Sequence, residues 1–422
     1  MIRSDEAADR DLEPQQARGR DAALLLLASV VSGLLGYVVL WAVIRFQGEA
    51  AYASFAAFWS ALYLIIGSLA GLQQEFARAT APAAGRPATR FPWAVLAGAT
   101  AATLLIVLAS SPLWVPTVFP VAGASILVPL AVGAAASVVV AIVTGIAAGG
   151  GAWRLVAAVM VIDVGLRLVT VGIGAALGVG IVGMAWLVAL PLPAMLLLLA
   201  PWMRRRLKGA TTRDLPDRRI AVNSLLLVAA SASTATVVSG MPLLISATSS
   251  GEPTAVIGSV VFAVTLVRAP IIVTSLSLQS LLVVRMRRSE RDRRRTVVIG
   301  LAVIGAVSAI GVALALTVAP QLVDLIVVRT LGIGGHVYAA LVLSSALVGV
   351  LCITGAALVS AKRHVANMAG WMTTAIVTIV VVLLPIDFEA RVLSALLVPP
   401  CVGILVHLGA AATRATASPS RS

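Results

Sequence analysis

Long apolar runs recur along almost the whole chain, and they constrain its fold more than any other feature. A helix that spans a bilayer needs about 20 mostly apolar residues. The 422 residues are 60% hydrophobic but only 11% charged, whereas soluble domains are about 25% charged. These values exclude a soluble globular enzyme, a disordered chain and a disulfide scaffold. We predict an all-α polytopic membrane protein with about twelve spans, at 22–44, 52–74, 91–112, 122–148, 154–177, 179–203, 220–247, 254–284, 296–318, 338–361, 365–385 and 392–413.

Basic residues are distributed unevenly between the two sides of these predicted spans. With a cytoplasmic N-terminus, the inside segments hold 26 of the 31 Lys and Arg residues and the outside segments hold three. Because cytoplasmic loops carry the excess of Lys and Arg, this ratio predicts a multi-pass protein with both termini in the cytoplasm. It also assigns the net charge of +14 to loops that face anionic membrane lipids, and not to nucleic acid.

A basic loop divides the predicted spans into six before it and six after it. This layout suggests two six-helix lobes with a site between them. The seventh run is interrupted by small and polar residues, and the sixth contains Pro191 and Pro193. We therefore expect a cytoplasmic tail, an N-lobe, a basic cytoplasmic linker, a C-lobe and a second cytoplasmic tail, at 1–21, 22–203, 204–219, 220–413 and 414–422.

Three ionisable residues fall inside predicted spans, where charge is costly and by default faces a bundle interior or a wet cavity. Asp163 and Arg167 are four residues apart and can pair on one helix face, either as a structural pair or as functional groups. Arg268 lies near the middle of the eighth span, and that span contains no Asp or Glu. It either contacts an anionic ligand or caps backbone carbonyls near Pro270.

Polar or small residues form stripes on three predicted helices. Cavity lining and packing stay open for two of them. The stripe on the eighth helix consists of Thr265, Arg268, Ser275 and Gln279, and the stripe on the second helix consists of Ser60, Tyr63, Gly67, Gly71 and Gln74. Close helix packing is expected for the stripe on the first helix, Ser29, Ser32, Gly33 and Gly36. Asn223 is placed to join the polar ends on the cytoplasmic side.

No pattern in the chain predicts covalent chemistry. Two cysteines and three histidines are isolated from one another, so we expect no metal site and no cofactor. The outer loops are too short for the acidic or histidine cluster of a polyprenyl-dependent glycosyltransferase. Six tryptophans near predicted helix ends are assigned to an aromatic belt at the membrane interface, namely Trp41, Trp59, Trp153, Trp186, Trp202 and Trp371. Arginines and hydroxyls without a carboxylate cluster suit an anionic, hydroxyl-rich ligand, because a guanidinium matches phosphate bidentately.

Three segments resemble a known family when taken with the six-plus-six layout. The first helix pair reads SGLLGYVVLWAVIRFQGEAAYASFAAFWSALYLIIGSLAGLQQEFARA, the eighth helix reads LVRAPIIVTSLSLQSLLVVRMRR, and the region after the ninth helix reads APQLVDLIV. They are similar to the polysaccharide (Wzx-type) flippase branch of the multidrug/oligosaccharidyl-lipid/polysaccharide (MOP) exporter superfamily.

The resemblance implies a MATE-like pair of lobes around a central cavity in the bacterial plasma membrane. It implies a transporter, not an enzyme, that flips a polyprenyl-pyrophosphate-linked oligosaccharide by alternating access, with polysaccharide polymerases or glycosyltransferases as partners. Arg268 would contact pyrophosphate or an anionic sugar, and Arg167 would be the second contact. Asp163 would be the only buried carboxylate available for proton or sodium coupling. The alternative is a cation-coupled multidrug exporter of the same fold, although the first helix lacks the acidic residue that such antiporters often have.

Overall fold

Helices dominate the structure because a chain in hydrocarbon must satisfy its backbone polar groups internally. The computed structural model describes residues 2–80, 93–207, 217–286, 289–327 and 330–412. Within them, one short 3₁₀ helix (Gly123–Ile126) precedes the third of the α-helices. The α-helices are α1 (Ile2–Ala79), α2 (Trp93–Val118), α3 (Leu127–Gly149), α4 (Trp153–Ala176), α5 (Ile181–Ala189), α6 (Pro191–Leu207), α7 (Asp217–Val238), α8 (Met241–Thr248), α9 (Thr254–Met286), α10 (Glu290–Thr317), α11 (Ala319–Val327), α12 (Gly335–Ser360), α13 (His364–Val382) and α14 (Phe388–Ala412).

The predicted fold class is confirmed. Ten helical segments in the described residues are long and apolar enough to cross a membrane, and one of them consists of α5 and α6 together. One of them, α1, contains the first two predicted spans, and α9, at 33 residues, contains the eighth. Each of the twelve predicted spans is therefore helical in the part of the chain that the structure describes. The N-lobe comprises α1 to α6, and the C-lobe comprises α7 to α14.

The connection between the first two predicted spans is a kink at one residue. Two helices meet at Gly48, whose φ of 83° and ψ of 179° are not helical. Glycine reaches this conformation because it has no Cβ. The bend gives α1 a first arm (residues 23–47) and a second arm (residues 49–79), and both arms face the C-lobe.

Proline and polar residues divide two of the predicted spans. The sixth is split into α5 and α6 where Pro191, which has no backbone N–H, begins the second piece. The seventh is split into α7 and α8 at Ser239 and Gly240. Ser60 on the second arm of α1 stabilises this break, since its hydroxyl donates to the Ser239 carbonyl and accepts a hydrogen bond from the Leu243 N–H at 3.2 Å.

The segments between the helices agree in part with the predicted plan. Most of the basic linker, at 208–216, and the C-terminal tail, from residue 413, lie outside the described residues. The short apolar stretch after α10 forms α11, which at nine residues is too short to span. The indole N–H of Trp41 donates to the Ile326 carbonyl at 3.0 Å, so α11 is fixed to the first arm of α1.

The lobes meet closely along the second arm of α1 and α7. A Cβ added to Gly71 would lie 2.2 Å from the backbone carbonyl carbon of Leu227, so the two helix backbones are in contact there. Farther along the same seam, the Asn223 side-chain amide donates to Glu75 Oε1 at 3.1 Å. This seam of close packing and hydrogen bonds holds the lobes together beside the space between them.

We expect Gly71→Ala to lower the free energy of unfolding by about 1–3 kcal/mol, because the added methyl group overpacks the seam. Gly98→Ala on α2 is the matched control, since a Cβ there meets no atom within 4 Å. The control should be neutral or stabilising by up to about 1 kcal/mol, because alanine favours helix over glycine. Thermal unfolding of the purified protein in detergent measures both, and equal midpoints would contradict the close approach.

Candidate functional site

A cavity of about 540 Å³ lies between the two lobes. Its volume is within the range of about 300–1,000 Å³ that small-molecule sites occupy. Both arms of α1, α4, the break between α7 and α8, and α9 form its walls. The side chains with polar atoms on these walls are Ser29, Ser32, Tyr37, Tyr52, Trp59, Ser60, Tyr63, Asp163, Ser239, Thr265 and Arg268.

Arg268 reaches the cavity from α9, so for this part of the stripe cavity lining is the correct alternative. Its side chain is only 4% exposed, and its Nε has no hydrogen-bond partner. Thr265, one turn earlier, also lines the cavity, and its hydroxyl donates to the Val261 carbonyl at 2.8 Å. The side chain of Gln279, the predicted continuation of the stripe, lies outside the described residues. A buried guanidinium with an unused donor is therefore available to a ligand in this cavity.

The predicted pairing of Asp163 with Arg167 is confirmed. Arg167 Nη2 lies 3.1 Å from Asp163 Oδ1 on α4, within ion-pair distance. The Asp163 side chain is 16% exposed and lines the cavity, but the Arg167 side chain is 0% exposed and does not. The predicted role of Arg167 as a second ligand contact has no geometric support here, because its charge lies behind the cavity wall.

Two aromatic side chains separate Arg167 from the cavity. The Arg167 Cζ lies 5.1 Å from the ring centroid of Tyr63 and 5.7 Å from that of Trp59. Both rings line the cavity, so the assignment of Trp59 to an interfacial belt is wrong. The stripe on the second helix, which includes Tyr63, was the sequence signal for this wall, and Trp59 lies one turn before Tyr63 on it.

The packing predicted for the small residues of the first helix is also wrong. Ser29, Ser32, Gly33 and Gly36 line the cavity, and a Cβ added to either glycine would meet no atom within 4 Å. Small residues here leave open space and do not bring two helices together. A stripe of small residues can line a cavity or pack against another helix, and the sequence does not distinguish the two because it gives only the sizes of the side chains.

Gln74 and Asn223 lie away from this cavity. Gln74 is exposed on the outside of α1, and Asn223 bonds to Glu75 in the seam. Glu75 is 1% exposed and also forms an ion pair with Arg78, with Oε1 and Nη2 2.6 Å apart. Asp163 is therefore not the only buried carboxylate, and the expectation that it would be is wrong. Glu75 was missed because it lies just past the end of an apolar run.

The residues that the structure describes include no candidate metal site. No three His, Cys, Asp or Glu side chains in those residues come close enough together to hold an ion. The polar groups of the cavity are instead suited to hydrogen bonding and to the binding of an anion.

Comparison with known proteins gives a family without a described activity. No protein-family model matches the chain. It is 32% identical over 398 residues to the uncharacterized protein Rv3630 of Mycobacterium tuberculosis. The aligned region covers 91% of this chain and 90% of the relative. A second uncharacterized protein of that organism, Rv1510, is 31% identical over 388 residues, covering 90% of this chain and 88% of the relative. The chain belongs to this mycobacterial family.

Solved structures identify the fold. The chain matches the inward-facing conformation of a multidrug resistance MATE family transporter of the MOP superfamily with a TM-score of 0.62, at 18% identity, over 94% of this chain and 100% of that one. The outward-facing conformation of such a transporter matches with a TM-score of 0.61, at 16% identity, over 95% of this chain and 97% of that one. A MOP superfamily transporter from Pyrococcus furiosus matches with a TM-score of 0.58, at 18% identity, over 95% of this chain and 96% of that one. Its description states that the reverse polarity of its binding pocket suggests a different function. This chain therefore has the MATE fold.

Asp163→Asn should lower the free energy of unfolding by about 3 kcal/mol or more, because it leaves the buried charge of Arg167 without its counter-charge. The double variant Asp163→Asn/Arg167→Met should recover most of this loss, since it removes both charges. Glu290→Gln is the control, because its ion pair with Arg293 is 60% exposed on the glutamate side and should contribute less than about 1 kcal/mol. Thermal unfolding in detergent is the measurement, and a single variant as stable as wild type would show that the pair does not hold α4 in place.

Proposed function

We propose that this protein flips a lipid-linked oligosaccharide precursor across the membrane by alternating access, as a member of the Wzx-type branch. The observation that carries the proposal is Arg268, a buried guanidinium with an unpartnered Nε at the wall of a cavity between two lobes. A transporter of this kind performs no covalent chemistry and must bind its cargo through such groups.

The charge balance of the cavity favours an anionic cargo. Two charged side chains line it, Arg268 and Asp163. The negative charge of Asp163 is already offset by Arg167 at 3.1 Å, so the positive charge of Arg268 remains without a counter-charge in the described wall. Because an unpaired charge at membrane depth is costly, a pyrophosphate that pairs with it would be bound strongly. Hydroxyl groups from both arms of α1, from the break between α7 and α8 and from α9 supply hydrogen bonds for the sugars.

Alternating access follows from the arrangement of the lobes. The cavity lies between them, so that rocking about the seam would open it to one side of the membrane and then to the other. The matches to both an inward-facing and an outward-facing transporter of this fold support that motion. In the proposed cycle the pyrophosphate and sugars cross through the cavity while the polyprenyl tail remains in lipid. Polymerases or glycosyltransferases would act before and after this step.

The first test is export of a surface polysaccharide by Arg268→Ala, produced in a strain that lacks the wild-type gene. We expect export to fall at least about tenfold, because a hydrogen bond to a charged group contributes about 1.5–3 kcal/mol. Arg268→Lys should retain part of it. Arg294→Ala is the matched control, since that arginine is 82% exposed outside the cavity.

Protein in the membrane is quantified in each strain, and the lipid-linked intermediate is assayed on the cytoplasmic side, where it should accumulate. Full export by Arg268→Ala at normal protein level would remove the anion-binding role of this residue.

A cation-coupled small-molecule exporter is the second candidate. Its support is the multidrug transporters among the solved structures of this fold and the partly exposed carboxylate of Asp163. This candidate assigns the functional role to Asp163 and not to Arg268. It predicts that proton- or sodium-driven dye efflux is lost in Asp163→Asn but retained in Arg268→Ala. The positive charge of Arg268 disfavours this candidate, because many exported dyes are cationic and would be repelled.

The orientation is part of the proposal. We infer a bacterial plasma membrane location with both termini in the cytoplasm, from the 26 basic residues on one predicted side against three on the other. Fusion of alkaline phosphatase after Ala412 should then be inactive, and fusion after Gly251, between α8 and α9, should be active. Activity of the first fusion and inactivity of the second would reverse the orientation.

A further inference from the structure

Trp59 and Tyr63 form a fixed aromatic surface inside the cavity. Their rings are stacked, with centroids 4.7 Å apart and an angle of 15° between the planes, and both line the cavity. Trp59 is eleven residues past the bend at Gly48, or about 16 Å along the helix at about 1.5 Å per residue. Because the Trp59 ring faces the cavity and not the lipid, an interfacial belt does not account for its position.

The surroundings of the rings hold them in place. The guanidinium of Arg167 lies near both ring centroids, 5.1 Å from Tyr63 and 5.7 Å from Trp59, within the distance of a cation–π contact. Phe55, one turn earlier, packs against Trp59 with centroids 5.8 Å apart. Because Arg167 also pairs with Asp163, one buried cation positions the two rings and a carboxylate together. The rings and the carboxylate are then presented to the cavity, whereas the cation is not.

Buried polar atoms without hydrogen-bond partners accompany this surface. They occur on four residues that line the same cavity, and the atoms are Ser32 Oγ, Tyr37 Oη, Tyr52 Oη and Arg268 Nε. Buried polar groups in proteins are almost always hydrogen-bonded, so these atoms are available to bond to a ligand that enters the cavity. Hydroxyl groups both donate and accept, and a sugar ring is the ligand that supplies many of them beside an apolar face.

We propose that Trp59, Tyr63 and Asp163 form a subsite for a neutral sugar ring of the lipid-linked cargo. The apolar face of the ring stacks on the aromatic surface, and its hydroxyl groups donate to the Asp163 carboxylate. An acidic sugar is disfavoured there, because its carboxylate would meet Asp163 while the charge of Arg167 is sealed behind the rings. This inference rests on the proposed function, and it assigns the phosphate part of the cargo to Arg268.

Three synthetic lipids with the same polyprenyl pyrophosphate test the subsite: one without sugar, one with a glucose disaccharide and one in which glucuronic acid replaces a glucose. The dissociation constant of each is measured for the purified full-length protein in nanodiscs. For wild type we expect the neutral disaccharide to bind about fivefold or more tightly than the sugar-free lipid, since stacking contacts are worth about 1 kcal/mol. The acidic disaccharide should bind more weakly than the neutral one.

Trp59→Leu should remove the gain from the neutral disaccharide and leave the sugar-free lipid within about twofold of wild type, whereas Trp59→Phe should keep most of the gain. Trp186→Leu is the matched control, because that tryptophan is half-buried on α5 and does not line the cavity. Tyr63→Leu provides a second way to remove the aromatic surface if Trp59→Leu does not fold.

Equal weakening of the sugar-free and sugar-bearing lipids by Trp59→Leu would overturn the subsite, because it would show that the rings contact the tail or only maintain the fold. So would tighter binding of the acidic disaccharide by wild type. These results leave the proposed function standing if binding of the sugar-free lipid still depends on Arg268. If wild type binds none of the three lipids, the proposed function and the subsite both fail.

Discussion

The seam between the second arm of α1 and α7 is the contact on which the rest of the structure depends. At Gly71 the two backbones touch, and near the end of the arm Asn223 bonds to the buried Glu75. Such close approach through a small residue is how helices associate in lipid, where apolar side chains gain little by leaving the bilayer. The lobes also meet at the bend of α1, where a Cβ added to Gly258 on α9 would lie 1.9 Å from the Glu49 carbonyl oxygen. The space beside the seam, bounded by the first arm of α1, α4 and α9, is the cavity.

The two buried arginines Arg167 and Arg268 differ in their surroundings. Arg167 has a carboxylate at 3.1 Å and two aromatic rings beside it, so its charge is compensated within the N-lobe. Arg268 lies on a helix without an acidic residue and keeps an unpartnered Nε. A charge that the protein does not compensate must be compensated by water or by a ligand. The N-lobe therefore supplies a cavity wall whose charges are already paired. The C-lobe supplies Arg268, whose charge is left for water or a ligand to compensate.

The sequence was sufficient to predict where the helices lie along the chain. It was not sufficient to predict whether a given helix face lines the cavity or packs against another helix. Apolar runs of span length can form only helices in lipid, and the spacing of Asp163 and Arg167 fixes their pairing on one turn. The faces of α1 could not be assigned in the same way. Gly33 borders open space and Gly71 touches another backbone, although both belong to stripes of small residues. Trp59 was misjudged for the same reason, because the sequence does not show that its ring faces the cavity.

Polar contacts at the seam and in the cavity have different consequences for movement of the lobes. Ser60 bonds to both sides of the break between α7 and α8, so this break is tied to α1 at the cavity wall. The bond between Asn223 and Glu75 crosses the same seam nearer its end, where Arg78 also neutralises the carboxylate. Separation of the lobes at that end would break the Asn223 bond and the close backbone contact at Gly71, and separation at Ser60 would leave the break between α7 and α8 without its bonds to α1. Rotation about the seam keeps both sets of contacts, so it is the less costly movement, and it leaves the aromatic wall of the cavity intact.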